Sequence, residues 1–107
     1  MAGLGDGASL SVSTRVRRDG AAVLTLAGEL DSASAAKLGA AARAAVTSGS
    51  ARVVFELAGL RFMDSAGLAV LITTARDAGH VELRDPSPIV RRLIEATGLT
   101  SVFEVLP

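Results

Sequence analysis

Asp64 and Ser65 stand where an extended segment gives way to a helical pattern, so they are the first candidates for chemistry. The backbone N–H groups in the first turn of a helix lack intrahelical partners, and the partial positive charge there favours a phosphate. A serine hydroxyl at this point is suited to carry one. Gly67 has no side chain and would let a bulky group approach the backbone. These residues are compatible with a phosphoserine site.

The same residues also have a purely structural interpretation. Asp64 or Ser65 could be the N-cap of the helix, a role that typically contributes ~1 kcal/mol. On local pattern alone this role is the more common one. Gly67 favours the phosphate interpretation, because a helix that is already capped gains nothing from a glycine that costs roughly 1 kcal/mol relative to Ala. Local residues leave both alternatives open.

Composition excludes several other chemistries. The chain has no cysteine, which removes disulfides, thiol catalysis and thiolate metal sites. His80 is its only histidine; it is more typical of a surface side chain than of a ligand, so we expect no metal and no cofactor. No histidine adjoins Ser65 in sequence and no Gly-rich phosphate loop is present, so we do not expect an enzyme. Eleven basic residues balance eleven acidic ones, which predicts no general attraction to nucleic acid or membrane.

The organisation is that of a single domain. Residues 1–9 are Gly-rich and lack the basic and apolar regions of a signal peptide, so we interpret them as a flexible leader before a domain over 10–107. No window is apolar enough to span a membrane, which predicts a cytoplasmic protein. Half of the residues are hydrophobic but only three are aromatic, so the core must be built from aliphatic side chains.

Periodicity predicts an α/β fold with a mixed β-sheet of four to five strands and helices packed on it. Arg17 to Gly20 forms a turn of a type that favours a hairpin. Asp31 or Ser32 could cap the first helix, and Ser87 with Pro88 begins the last. The predicted strands cover 10–16, 21–28, 52–57, 80–84 and 102–106; the predicted helices cover 33–46, 66–78 and the segment from Pro88 to Gly98; 58–63 is predicted as a loop.

Two of these helices have a predicted buried face. Leu68, Leu71, Ile72 and Ala75 recur at the helical period and predict the core side of the second helix. Its opposite side, with Ala69, Thr73 and Arg76, could contact a partner. The predicted apolar face of the last helix consists of Ile89, Leu93 and Ala96.

Four segments together resemble one family. The run from Phe62 to Leu71, FMDSAGLAVL, is similar to the signature of the anti-sigma-factor antagonists of the bacterial STAS-domain family. Gly28–Asp31 resembles the first conserved turn of that family, residues 85–93 its last helix, and Thr97–Leu99 with Phe103 its C-terminal turn. The matches follow the family's order and spacing from about residue 10 to 105.

The resemblance implies a STAS-like domain in which Ser65 is phosphorylated by a partner serine kinase that is also the anti-sigma factor. It also implies that Asp31 and Asp64 lie beside Ser65, with Asp31 positioning a metal or nucleotide during phosphotransfer. Many members have Ser or Thr where this chain has Ala66, which puts the preference of the kinase in doubt. The unphosphorylated protein, monomeric when free, would bind the anti-sigma factor and release a sigma factor.

A second function remains open at this point. A STAS-type scaffold or accessory subunit of a transporter or signalling complex could use the same surface without any phosphorylation. For the switch itself, charge predicts a local effect. One pair of unit charges at about 6 Å repels by ~3 kcal/mol at an effective dielectric of 20, against ~0.3–1 kcal/mol from the helix dipole. We therefore expect a phosphate to block a partner rather than to rearrange the domain.

Overall fold

The described residues form one five-stranded mixed sheet that carries three helices. In the computed structural model, residues 10–98 and 101–107 are described, and the leader predicted over 1–9 lies outside them. The sheet order is β1-β2-β3-β4-β5, with β1 antiparallel to β2 and the other neighbours parallel. In chain order the elements are β1 (Leu10–Val16), β2 (Ala22–Leu30), α1 (Ala35–Thr47), β3 (Arg52–Met63), α2 (Ser65–Ala78), β4 (His80–Arg84), α3 (Pro88–Ala96) and β5 (Glu104–Leu106).

The predicted hairpin turn joins β1 to β2. Gly20 has a φ of 88°, a left-handed conformation that glycine adopts without strain. Asp19 binds the Arg17 guanidinium at 2.7 Å and accepts the Ala21 N–H at 3.0 Å. These two bonds favour the ionised carboxylate, the Arg17 contact most, and lower the pKa of Asp19 to about 2.

All three helices contribute to one hydrophobic core on the same face of the sheet. Parallel neighbours need a crossover, and each helix connects two of them. Leu24, Phe55 and Leu83 point from three successive strands into this core. The helices add Leu38, Ala42, Leu68, Leu71, Val90 and Ile94. The alternate strand residues therefore lie on the other face, where Ala21, Val23 and Val54 make only a small apolar cluster.

The predicted loop over 58–63 is wrong, because these residues continue β3. The predicted end of β2 at Gly28 is also wrong, because β2 continues to Leu30. Both strands continue, and Leu30 of β2 pairs with Met63 of β3. Two register shifts interrupt their ladder, which breaks the simple alternation of buried and exposed positions. Leu60 and Met63 are nevertheless buried. The extension carries the ends of β2 and β3 to a common edge of the sheet.

The last helix begins as predicted but buries a different face. Ser87 Oγ accepts the Val90 N–H at 3.3 Å, and Pro88 occupies the first turn. Val90 and Ile94 are the fully buried residues, whereas Ile89 is 60% exposed. The predicted face of Ile89, Leu93 and Ala96 is therefore wrong by one position along the helix, and of these only Leu93 packs against the core.

Candidate functional site

The site lies where β2 and β3 end and α2 begins. Ser65 is the first residue of α2, Asp64 follows the end of β3, and Asp31 follows the end of β2. The Asp64 N–H donates to the Leu30 carbonyl at 3.1 Å, so the backbones around the two aspartates are joined directly. The carboxyl ends of neighbouring parallel strands are a common place for functional groups in α/β proteins. Asp31, Asp64 and Ser65 therefore lie together at the edge of the sheet that the carboxyl ends of β2 and β3 form.

Asp64, not Ser65, caps α2. Its Oδ1 accepts the N–H of Ala66 at 2.9 Å and that of Gly67 at 3.2 Å. Ser65 is exposed, with its hydroxyl outside this cap. The sequence suggested that free N–H groups of the first turn would hold a phosphate on Ser65. That expectation needs correction: two of those N–H groups already donate hydrogen bonds to Asp64 and are not free to bind a phosphate.

Asp31 stabilises the turn between β2 and α1. Its Oδ1 accepts the N–H of Ala33 at 3.0 Å and that of Ser34 at 3.1 Å. Ser34, the N-cap residue of α1, makes no side-chain cap bond. Its Oγ accepts the Asp31 N–H instead, at 3.0 Å. Asp31 thus orders the turn that precedes the helix, in place of the direct capping role that the sequence suggested for it or Ser32.

Gly67 has a packing role that the sequence did not indicate. It is buried, and a Cβ placed on it would lie 2.5 Å from Leu30 Cγ and 3.0 Å from Met63 Cγ. Helix α2 therefore touches the ends of both central strands through this residue. The sequence suggested that the space beside Gly67 is open to a bulky group from outside. That expectation is wrong, because buried side chains of the protein fill this space. The glycine gives no independent support to a phosphate.

The outer side of α2 continues from Ser65 as an exposed surface. Ala69 and Thr73, which lie one and two turns beyond Ser65, are exposed, and Ala66 is half-buried. Ala69 and Thr73 also line a groove of about 210 Å³ between α1 and α2, and Arg43 of α1 and Asp77 of α2 are among its other lining residues. Ser65, Ala69 and Thr73 therefore form a continuous exposed strip along α2, whereas Gly67, which was also predicted to contact a partner, is buried.

Phe62 is a candidate contact residue that the sequence did not single out. Strand β4 pairs with β3 only over 52–56, so no described strand pairs with residues 57–63 on the side away from β2. Phe62 lies on this projecting part and is 43% exposed, whereas Phe55 and Phe103 are buried. A signal was present in the sequence, since Arg61 and Phe62 stand three and two residues before Asp64. An exposed aromatic side chain three residues from Ser65 is a suitable anchor for a protein partner.

The charge around Ser65 is mainly negative. Asp31 and Asp64 both lie at this edge, and Arg61 is directed to Glu29, with 3.9 Å between the guanidinium and the carboxylate. His80 begins β4, at the opposite end of the sheet from Ser65. Its imidazole therefore lies too far away to activate the Ser65 hydroxyl as a nucleophile. The arrangement supports an acceptor or a contact surface better than a catalytic serine.

In the described part of the chain, no helix is both long enough and apolar enough to cross a membrane.

Comparison with known proteins gives one consistent result. A family model described as "Mlab, STAS domain" matches residues 13–107. BtrV of Bordetella bronchiseptica, named as a candidate anti-sigma factor antagonist, is 36% identical over 91 residues, which cover 81% of this chain and 78% of BtrV. The anti-sigma F factor antagonist of Lysinibacillus sphaericus is 34% identical over 82 residues, covering 72% and 70%.

A solved structure agrees in fold. The crystal structure of an anti-sigma factor antagonist from Mycobacterium paratuberculosis superposes with a TM-score of 0.82 at 28% sequence identity. The superposition covers 92% of this chain and 86% of the other. Nearly the whole of each chain therefore follows the same path.

Proposed function

The chain belongs to the STAS domain family, and on that basis we propose that it is an anti-sigma-factor antagonist switched by phosphorylation of Ser65. The unphosphorylated protein binds an anti-sigma factor that is also a serine kinase, and so frees a sigma factor for transcription. Phosphorylation releases the partner. Support for the antagonist role comes from the two relatives, one named as an anti-sigma F factor antagonist and the other as a candidate anti-sigma factor antagonist.

The observation that carries the phosphoacceptor role is the position of Ser65. Its side chain is exposed immediately after the Asp64 cap, at the start of the exposed strip of α2. A kinase can reach this hydroxyl without opening the fold. Asp31 lies at the same edge and would position a metal or nucleotide of the kinase during transfer.

The switch acts through charge at the contact surface. A phosphate adds roughly −1.5 to −2 charges beside Asp31 and Asp64. Because Asp64 already accepts the N–H groups of Ala66 and Gly67, those donors are not available to the phosphate. A partner that docks over Ser65 would have to bury an anion that the protein compensates poorly, which costs several kcal/mol when a charge loses its water.

The test measures binding and phosphate transfer separately. The purified chain is incubated with the anti-sigma factor of its own organism and ATP, and intact mass reports phosphate on Ser65. Calorimetry then compares the wild type with Ser65→Ala and Ser65→Asp. We expect Ser65→Ala to bind without release by ATP and Ser65→Asp to bind at least about tenfold more weakly, equal to a loss of 1.4 kcal/mol. Ser13→Asp, at an exposed serine on β1, is the matched charge control and should bind normally.

Equal binding of both Ser65 variants and the wild type would refute the switch. Phosphate on another residue would refute the acceptor assignment. Partner binding with no phosphate incorporated would favour the second function, a STAS-type scaffold or accessory subunit that uses the same strip of α2 without phosphorylation.

A further inference from the structure

A second group of ionisable side chains lies at the opposite end of the sheet from Ser65. His80 and Glu82 are two residues apart on β4 and therefore lie on one face of the strand. That face is the one without helices, since Val81 and Leu83 point into the helix-side core. Glu104 of β5 pairs in register with Glu82. One ligand atom from each of the three side chains lies within 4.8 Å of the other two.

The pairing of Glu82 with Glu104 creates an electrostatic problem. Like charges directly opposite each other on neighbouring strands destabilise a sheet, and Glu82 is also buried, with 5% of its side chain exposed. Arg84 Nε compensates Glu82 at 2.5 Å. Among the described residues, Glu104 pairs with His80 Nε2 alone, at 3.0 Å, and the ring carries a charge only when it is protonated.

The contact between His80 and Glu104 needs either a hydrogen atom or a cation between its two atoms. A ring nitrogen without a proton and a carboxylate oxygen are both hydrogen-bond acceptors, so their lone pairs repel at 3.0 Å. A proton on Nε2 satisfies the contact, and so does a metal ion bound by both atoms. With a metal ion, Glu82 can keep Arg84 on one carboxylate oxygen and offer the other as a third ligand.

We propose that His80, Glu82 and Glu104 form a binding site for a divalent transition-metal ion, with Zn²⁺ as the best fit. One imidazole nitrogen with two carboxylate oxygens suits Zn²⁺, whereas Mg²⁺ and Ca²⁺ prefer oxygen ligands throughout. Metal–ligand bonds of about 2.0–2.2 Å place tetrahedral ligand atoms about 3.4 Å apart. The side chains of His80 and Glu104 are 41% and 47% exposed and are free to close the remaining distance around the buried Glu82.

The consequence of binding is a link between β4 and β5. Strand β5 has three residues and lies at the edge of the sheet, so it has few contacts that hold it in place. An ion bound by Glu104 from β5 and by two ligands from β4 would fasten this edge. The site is independent of Ser65, and its test does not depend on the proposed function.

The experiment uses the full chain without an affinity tag, after treatment with a chelator. Calorimetry with ZnCl₂ gives stoichiometry and affinity, and NMR follows the imidazole of His80, which is the only histidine in the chain. We expect one Zn²⁺ per chain, a shift of the His80 ring signals and a higher melting temperature. His80→Ala and Glu104→Gln should each weaken binding at least tenfold, at the scale of losses seen around metal sites.

Glu95→Gln is the matched control, because Glu95 is also an exposed glutamate but lies on α3, on the other face of the sheet. It should bind Zn²⁺ like the wild type, and MgCl₂ should give no comparable heat. Equal Zn²⁺ affinity in the wild type, His80→Ala and Glu104→Gln would overturn the proposal, as would absence of binding at millimolar ZnCl₂. Both test side chains are more than 40% exposed, so either variant should fold.

Discussion

Gly67 determines how closely α2 approaches the two central strands. Its missing side chain makes room for Leu30 from β2 and Met63 from β3, both of which are buried. Glycine in the interior of a helix costs roughly 1 kcal/mol relative to Ala. Any larger residue would displace α2 from the ends of the strands, and Asp64 and Ser65 would move with it. Close packing at this point therefore outweighs the loss of helix propensity.

A pair of glycine substitutions tests this role. Gly67→Ala should lower the free energy of unfolding by about 1–3 kcal/mol, because the added Cβ overlaps buried side chains by more than the helix gains in propensity. Gly39→Ala is the control: Gly39 also lies in a helix, and a Cβ there meets nothing within 4 Å. It should raise stability by about 0.5–1 kcal/mol. Urea unfolding measures both, and an unchanged midpoint for Gly67→Ala would contradict the packing role.

Strand β3 is the element that builds the proposed contact surface. Its first five residues lie between β2 and β4, and the rest continue beside β2 alone. This projecting part places Phe62 outside the core, close to the start of α2. An aromatic side chain that is 43% exposed gains more from burial in a complex than it contributes to the fold.

We therefore expect Phe62→Ala to weaken binding to the anti-sigma factor about tenfold or more, as is common for aromatic anchors in interfaces. Unfolding stability should change little, since the side chain is already half in solvent. Val16→Ala is the control, because Val16 is an apolar residue that is 68% exposed at the hairpin end of β1. Wild-type affinity for Phe62→Ala in calorimetry would remove Phe62 from the interface.

The same element explains what the sequence could and could not predict. Residue types and periodicity, which are local properties, predicted the helices, most of β2 and the first half of β3, and Ser87 with Pro88 marked the start of α3. The extension of β3 did not follow, because residues 58–63 are held by pairing with β2 across two register shifts. A pattern read along one segment contains no information about such a partner.

In the candidate site, too, the sequence predicted the local features but not those that depend on contacts between distant segments. The motif placed Ser65 and Asp64 at the start of a helix, and the resemblance placed Asp31 beside them. Local residues could not decide which side chain caps α2, since both are good caps. The grouping of Glu82 with Glu104 was also not predictable, because it depends on the register of β5 against β4.

At the scale of the whole molecule, the parallel strands separate the two proposed sites. The carboxyl ends of β2 and β3 carry Asp31, Asp64 and Ser65, and the opposite edge carries His80 and Glu104. The formal net charge is zero at pH 7, so a phosphate changes the total by roughly −1.5 to −2. That change strongly alters the electrostatic field around Ser65, and it lies far from His80 and Glu104 at the opposite end of the strands.

Phosphorylation of Ser65 should therefore leave the fold intact. The Asp64 cap occupies the donors of Ala66 and Gly67, and Arg61 is directed to Glu29, so little in the described structure could draw the phosphate inward. Repulsion from Asp31 and Asp64 is screened by water at an exposed site. With the dielectric of water, the two aspartates and a charge of about −2 give a repulsion of at most about 3 kcal/mol at about 6 Å, so we expect the free energy of unfolding to fall by no more than that.

NMR spectra of the phosphorylated and unphosphorylated chain measure this directly. Amide shifts should change around residues 28–34 and 60–70 and remain constant in α3 and β5, because those elements make their contacts elsewhere in the sheet. Ser65→Asp should give a smaller version of the same pattern, since it adds one charge at the same place. Changes that extend through α3 or β5 would mean that the phosphate drives a rearrangement, and release of the partner would then be conformational rather than electrostatic.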